Sequence, residues 1–333
     1  MKIGDWFDLA FIGAGPAAES GAIHARNEGI RTMVFEGSAM LGGQAGQALK
    51  IINYLGFPDG ISGLELVGRG AKQAANLKAC LKTQTEIQRI TRVAGGFRLT
   101  DQFGENHLAR RIVVAVGADY RSLDIDTLPA ALGHGAQYGL PAMHEPYTGN
   151  VFVVGGANSA GQAVLTLSDS CSTTIVVRGS DFSAGMSAHV AEQIRANPAI
   201  QVLTNTQVVE CVCGDHLEQI VLETNGVRQT VSADHLFILI GAKPRTGLVK
   251  TLVGLDDRGA ILTGTAVPPR ILAKFPGWVP LGYEASPGIS AAGDCRHGSL
   301  PRVAFACAEG AGVAAQEITW RNDEPRFWSK DQR

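Results

Sequence analysis

Phe7-Asp8-Leu9-Ala10-Phe11-Ile12-Gly13-Ala14-Gly15-Pro16-Ala17-Ala18 decides the fold. A short apolar run suited to a buried parallel strand meets a glycine turn, and small residues then read as a helix through Arg26. Gly29 ends that helix, and Arg31-Thr32-Met33-Val34-Phe35-Glu36 reads as the next strand. Gly13 makes the turn, and Gly15 lets backbone N–H groups approach a pyrophosphate at the positive end of the helix. Ala18 keeps helix and strand close. Glu36, 21 residues beyond Gly15, can accept from ribose hydroxyls. A merely tight strand-to-helix turn would account for the glycines alone, but strand, turn, helix and acid together point to dinucleotide binding.

The same grammar returns about 140 residues later, an internal repeat of one supersecondary unit. Val151-Phe152-Val153-Val154 is a strand, Gly155-Gly156-Ala157-Asn158-Ser159-Ala160 a turn, Gly161 to Leu167 a helix start, and Thr174-Ile175-Val176-Val177-Arg178 the next strand. Two further apolar strands, 111–118 and 235–242, end in Gly-Ala and mark crossings out of nucleotide-binding segments. Ile289-Ser290-Ala291-Ala292-Gly293-Asp294 is a late strand, and its terminal carboxylate lies where α/β sheets bind ligands.

Composition agrees. Of 333 residues, 45% are hydrophobic and 18% charged, which excludes a disordered chain, and 41 glycines without a collagen period imply many tight turns or backbone lying close to a ligand. A net charge of −2 provides no basic excess for nucleic acid. The start Met1-Lys2-Ile3-Gly4-Asp5-Trp6-Phe7-Asp8 reads as neither a signal peptide nor a membrane span. Six scattered cysteines (80, 171, 211, 213, 295 and 307) argue against a disulfide framework and for a reduced, cytoplasmic setting. No two of them stand in a C-x-x-C.

Together these segments resemble the low-molecular-weight thioredoxin-reductase family of flavoproteins with two dinucleotide domains. The resemblance runs through Gly13–Ala18, Gly42-Gly43-Gln44-Ala45-Gly46 with Asn53-Tyr54-Leu55-Gly56-Phe57, Ala115-Val116-Gly117-Ala118, the turn at 155, and Ala291-Ala292-Gly293-Asp294. It implies an α/β fold of two doubly wound Rossmann-like domains, the second inserted in the first. The FAD-binding domain would be discontinuous, 1–117 and 245–333, with an NAD(P)-binding-like domain at 118–244. FAD would contact Gly13, Gly15, Pro16, Ala17, Ala18, Glu36, Gly42, Gly43, Gln44, Asn53 and Gly117, with Gly293 and Asp294 at the ribityl chain. Arg302, Val303 and Ala304 would open the last helix at the flavin N1/O2 edge, where a helix N-terminus favours the charge of reduced flavin. Gly155, Asn158, Ser159, Ala160 and Arg178 would serve the nicotinamide nucleotide. The resemblance also implies a homodimer.

The departures from the family pattern carry as much information. Where the family's redox-active cysteine pair follows a Gly-x-x-Tyr, this chain has Gly135-Ala136-Gln137-Tyr138 and then Gly139-Leu140-Pro141-Ala142, with Met143 in place of an acid. Disulfide exchange needs an attacking thiolate and a resolving thiol, and glycine and alanine offer neither. Ala157 replaces a glycine of the second turn, and Arg178 alone remains of the family's 2′-phosphate cluster. This weights NADH above NADPH, with no pyridine nucleotide as the third alternative. The chain resembles the branch that lacks the pair, through Asn158-Ser159-Ala160-Gly161-Gln162-Ala163, and also the thioredoxin-reductase-type ferredoxin–NADP reductases. In the latter a tail aromatic covers the flavin, and Phe327 and Trp328 stand in the tail here.

The expected activity is transfer of electrons from NAD(P)H through FAD to a small molecule or redox protein other than thioredoxin, with the acceptor open among a quinone, oxygen, a ferredoxin-like protein and an external disulfide. The alternatives are a ferredoxin- or flavodoxin-linked reductase and a flavin-binding sensor with a degenerate nucleotide site. No catalytic residue is fixed by the pattern. His144 beside the vacated cysteine site and Cys295 beside Asp294 are the candidates, together with His134 and His297. Cys211-Val212-Cys213 puts two thiols on one strand face without metal partners nearby, and it reads as core packing.

Overall fold

The computed structural model describes residues 6–48, 51, 53–139, 147–183 and 185–323. The chain divides into two compact units, one formed by 1–119 with 243–333 and the other by 120–242.

The first unit is built on an eight-stranded sheet whose main path runs Glu284–Ser286, Ile289–Ala291, Asn106–Val114, Phe7–Ile12, Thr32–Phe35, Cys80–Lys82. Phe7–Ile12 lies parallel between Thr32–Phe35 and Asn106–Val114, with Leu9 opposite Thr32 on one side and Arg111 on the other. A central parallel strand is covered on both faces, so its residues are apolar throughout. Leu9 and Phe11 join one core and Ala10 and Ile12 the other. Helix Pro16–Asn27 and the final helix Val303–Asp323 pack in the first of these cores. A Cβ at Gly310 would run into the carbonyl of Ala17, and one at Gly21 would lie 2.6 Å from the Phe11 ring tip. Glycine at these two places lets backbone meet backbone and helix meet sheet.

One buried ionic knot ties this unit together. Arg111 donates to Glu284 (2.5 Å) and to Glu317 of the final helix, and Ser290 also bonds Glu317 (3.2 Å). All three charged groups are buried, and an unpaired charge there would cost several kcal/mol, roughly 3–5 by comparison with other broken buried pairs.

The second unit repeats the plan on a smaller scale. Five strands, Ile200–Leu203, Ser172–Val176, Asn150–Val154, His235–Ile238 and Ala136–Tyr138, form a parallel sheet in that order. Helices Asn158–Leu167 and Ala188–Ala196 pack on it. Thr206–Cys213, Leu217–Thr224 and Val227–Ser232 form a separate antiparallel sheet.

Element ends differ from the sequence reading where glycine intervenes. The strand expected over 111–118 begins at Asn106 and stops at Val114, because Gly117 turns at φ +68°. The late strand stops at Ala291, before Gly293 at φ +77°. Among the described residues no helix is long and apolar enough to cross a membrane.

Candidate functional site

In the first unit Gly13 has φ +97°, and a Cβ there would collide with the Ala115 backbone. Only glycine holds this turn without strain. Gly15 caps helix Pro16–Asn27 in an extended conformation, and Pro16 occupies the first turn, where its missing N–H costs nothing. Glu36 leaves the end of its strand with Oε2 accepting from the Ala14 N–H (3.1 Å) and Oε1 from the Ser38 N–H (3.0 Å). The carboxylate is therefore fixed beside the turn, with lone pairs left over for a ribose.

The segment from Gly42 closes over this turn. The Gly42 N–H donates to the Ala14 carbonyl (2.7 Å), and a Cβ on Gly43 would lie 3.5 Å from the Gly15 Cα. Gly42 has φ +105°, and its missing side chain leaves room for Val67. Gln44 donates its amide to the Ala118 carbonyl. Asn53 is exposed, and Gly117 is half-buried with open space where a Cβ would stand.

At the end of strand Ile289–Ala291, Glu309 holds the backbone in place. Its carboxylate accepts from the Gly293 N–H (2.7 Å) and from Arg296 through Nε (3.0 Å) and Nη2 (2.6 Å). Next door, the Asp294 carboxylate has no hydrogen-bond donor among the described residues. Burial, with the Glu309 charge added, pushes it up to about 6. A half-buried acid without a partner, on a braced turn, is suited to accept from ligand hydroxyls. Arg302, Val303 and Ala304 stand at the start of the 21-residue final helix, with Arg302 and Ala304 exposed. These features fit FAD: a turn only glycine can make, a fixed acid for a ribose, and a second acid awaiting donors.

The second unit carries the other turn. Gly155 has φ +152°, and a Cβ there would lie 2.5 Å from the Leu239 carbonyl oxygen. Ala157 caps helix Asn158–Leu167 at φ −120° and ψ 174°, an extended conformation open to any residue. The replaced glycine therefore introduces no backbone strain. Asn158 Oδ1 accepts from the Ser187 N–H (2.7 Å), and Ala157 bridges Gly185. Asn158 and Ser159 are exposed, Ala160 is buried, and Arg178 is exposed just beyond strand Ser172–Val176.

Cys295 has no access to a substrate. It is fully buried, its thiol bonds the carbonyls of Val114 (3.3 Å) and Ala292 (3.4 Å), and burial pushes it up to about 12. His144, Phe327 and Trp328 lie outside the described residues. His134 is exposed and pairs with the Asp215 carbonyl (3.2 Å), while His297 pairs with Asp256 (2.7 Å). Cys211 and Cys213 join the core of the second unit, Cys211 buried and Cys213 partly buried. Asp101, Glu105 and His107 bring metal-ligating atoms within 4.8 Å of one another, but Asp101 already bonds His107 and the Phe103 and Glu105 N–H groups.

Sequence reasoning missed Glu19, which sits among alanines in the first helix. Its side chain is buried against Gly70, Oε1 has no partner, and burial pushes the acid up to about 8. Beside it the Tyr54 hydroxyl donates to the Cys307 sulfur (3.5 Å). The one available signal was a charged residue on an otherwise small-residue helix face.

Two glycine turns of this kind, one braced by an acid and the other linked through an asparagine to the next helix, define a protein that handles two dinucleotides. The family model for pyridine nucleotide-disulphide oxidoreductases matches residues 7–310, and the chain belongs to that family. It is a flavin-dependent oxidoreductase, and its family uses FAD and NAD(P)H. The chain is 28% identical over 320 residues to a thioredoxin reductase of Mycolicibacterium smegmatis, covering 94% of this chain and 96% of the relative. It is 30% identical over 313 residues to a thioredoxin reductase of Treponema pallidum, covering 92% and 95%. The fold matches the thioredoxin reductase structure from Streptococcus pyogenes at a TM-score of 0.78 and 22% identity, over 96% of this chain and 99% of that one.

Proposed function

We propose that this protein takes hydride from NAD(P)H onto FAD and passes the electrons to an acceptor other than thioredoxin, with no disulfide of its own in between. The observation that carries this reading is a family member with no C-x-x-C anywhere in its 333 residues. Four of the six thiols are poor substitutes. Burial raises Cys80, Cys211, Cys295 and Cys307, Cys211 to about 11 and Cys295 to about 12, so at neutral pH they carry protons. A protonated thiol neither attacks a disulfide nor resolves one.

Bound FAD supplies the two-electron carrier between nicotinamide and acceptor. The chain's own residues hold and orient. The turn Gly13–Ala18 would present N–H groups and a helix N-terminus to the pyrophosphate, Glu36 would take the adenosine ribose and Asp294 the ribityl hydroxyls. The turn Gly155–Ala160 would do the same for the nicotinamide nucleotide. The acceptor class is a small oxidant such as a quinone, or a redox protein reduced by direct electron transfer.

The reading is tested by anaerobic reduction of the purified flavoprotein with NADH or NADPH, followed by mixing with a quinone or with oxidised thioredoxin. Bleaching by a nucleotide and reoxidation by the quinone support it. Reoxidation by thioredoxin as fast as by the quinone would defeat it.

A further inference from the structure

Beyond the turn that carries Asp294, the first unit holds a cleft that no step described so far uses. The Ile261 N–H donates to the Cys295 carbonyl (2.8 Å), and the His297 N–H donates to the Ile261 carbonyl (2.9 Å). The chain after Asp294 therefore runs beside residue 261 as a short parallel bridge. Here a cleft of about 320 Å³ opens, and its lining includes Thr263, Gly264, Thr265, Gly282, Arg296 and His297. Asp256 Oδ1 accepts from the N–H groups of Arg258 (2.9 Å) and Ala260 (2.8 Å), and Oδ2 pairs with Nδ1 of His297 (2.7 Å). Against the effect of burial, these bonds hold the Asp256 carboxyl below its ordinary range, so it stays charged and fixes the ring. With Nδ1 committed, Nε2 is the nitrogen of His297 left to the cleft. Thr263 is only 7% exposed, and its hydroxyl has no hydrogen-bond partner among the described residues. Arg296 brings no net charge, because Glu309 binds it through two nitrogens, and its Nη1 donates to the His297 carbonyl (2.9 Å). Glu309 also accepts from the Gly293 N–H, so one carboxylate joins the wall of the cleft to the turn that carries Asp294.

An oriented imidazole, a buried hydroxyl awaiting a partner and a neutralised guanidinium suit an uncharged ligand with carbonyl oxygens rather than an anion. We propose that this cleft seats the electron acceptor as a small neutral quinone, and that His297 is the catalytic acid for its reduction. The inference rests on the proposed function and names the acceptor site within it. Reducing a quinone to a quinol consumes two electrons and two protons. The hydride of NAD(P)H accounts for both electrons and one proton, and the His297 imidazolium gives the other proton from Nε2 to a quinone oxygen. The products are NAD(P)+, the quinol and a neutral imidazole, which water reprotonates at the half-exposed ring. Asp256 is a positioning residue: it turns Nε2 towards the cleft and stabilises the imidazolium.

The test uses the holoenzyme with 1,4-naphthoquinone, and with ferricyanide as an acceptor that takes electrons and no proton. Calorimetry on the oxidised protein reads quinone binding, and anaerobic mixing of the photochemically reduced protein with either acceptor reads reoxidation. Each variant is checked by flavin content and thermal melt. His297→Gln is expected to lower the ratio of quinone to ferricyanide rates by about 100-fold, and Asp256→Asn to lower it by about tenfold with quinone affinity unchanged. Thr265→Trp, at an exposed position, fills the cleft and is expected to weaken quinone binding by about tenfold or more. A wild-type rate ratio in His297→Gln, or wild-type quinone affinity in Thr265→Trp, would overturn the inference while leaving the proposed function intact. Reoxidation by oxidised thioredoxin as fast as by the quinone would break the proposed function, and a rate ratio still dependent on His297 would leave the cleft standing. A wild-type protein that the quinone does not reoxidise would overturn both.

Discussion

The two glycine turns share a sequence pattern and differ in how they are braced. At the first, Glu36 bonds the Ala14 N–H, Gly42 bonds the Ala14 carbonyl, and the turn lies among buried and half-buried residues. At the second, Ala157, Asn158 and Ser159 are exposed, and Asn158 is tied to the Ser187 N–H of the next helix. The first is built like a seat for a group that stays, and the second like one for a ligand that comes and goes. Rigid packing lowers the ordering cost of permanent binding, while an open rim permits exchange.

That contrast can be broken most sharply at Gly13. Gly13→Ala sets a Cβ against the Ala115 backbone at φ +97°, which is expected to cost about 3 kcal/mol or more. Flavin content after purification and the thermal melt check this, and a variant that keeps full flavin and the wild-type melting point would refute the seat. Gly155→Ala forces the matching collision with Leu239. Its expected signature is different: flavin retained, and reduction by either nicotinamide nucleotide slowed by about tenfold or more. Loss of flavin in Gly155→Ala would erase the distinction between the turns.

Glu19 sharpens the first region from the inside. Its folded-state pKa of about 8 lies above the ordinary 4.5, so folding is opposed as the unfolded chain ionises first. The penalty is absent below pH 4.5, grows as pH rises towards 8, and is constant beyond. At pH 7 it amounts to roughly 3 kcal/mol for this buried, partnerless acid. Glu19→Met should therefore stabilise the protein by about that amount at pH 7 to 8 and by little at pH 5, read from denaturant midpoints. A stabilisation equal at both pH values would show that the acid is not held neutral. The smallest effect is expected at Ala157→Gly. Because Ala157 already adopts an unstrained extended backbone, restoring glycine should change nucleotide affinity by no more than about threefold, measured by flavin reduction against nucleotide concentration.

The fold was legible because its decisive signals are local. Glycine turns, apolar strands and the Gly-Asp after Ala291 each fall within a few residues, and the internal repeat ties the first two together. What could not be read depends on distance in the chain. The tie from Ser183 to Arg195 crosses from loop to helix, and the grip of Glu309 on Gly293 and Arg296 joins a helix to a turn. Cys295 stands beside the candidate ligand acid in sequence, yet its side chain turns into the core and bonds Val114. Adjacency along a chain fixes which backbone is near a ligand, but it leaves open which way a side chain points once the turn has closed.

The central claim is that electrons pass through the flavin without an internal disulfide, and the most direct measurement counts them. Anaerobic reductive titration of the holoenzyme gives the electron equivalents needed to reduce the flavin completely. The account predicts about one equivalent of two-electron donor per FAD, because the flavin is the sole acceptor. A requirement for about two equivalents, with a second redox group filling alongside the flavin, would contradict it.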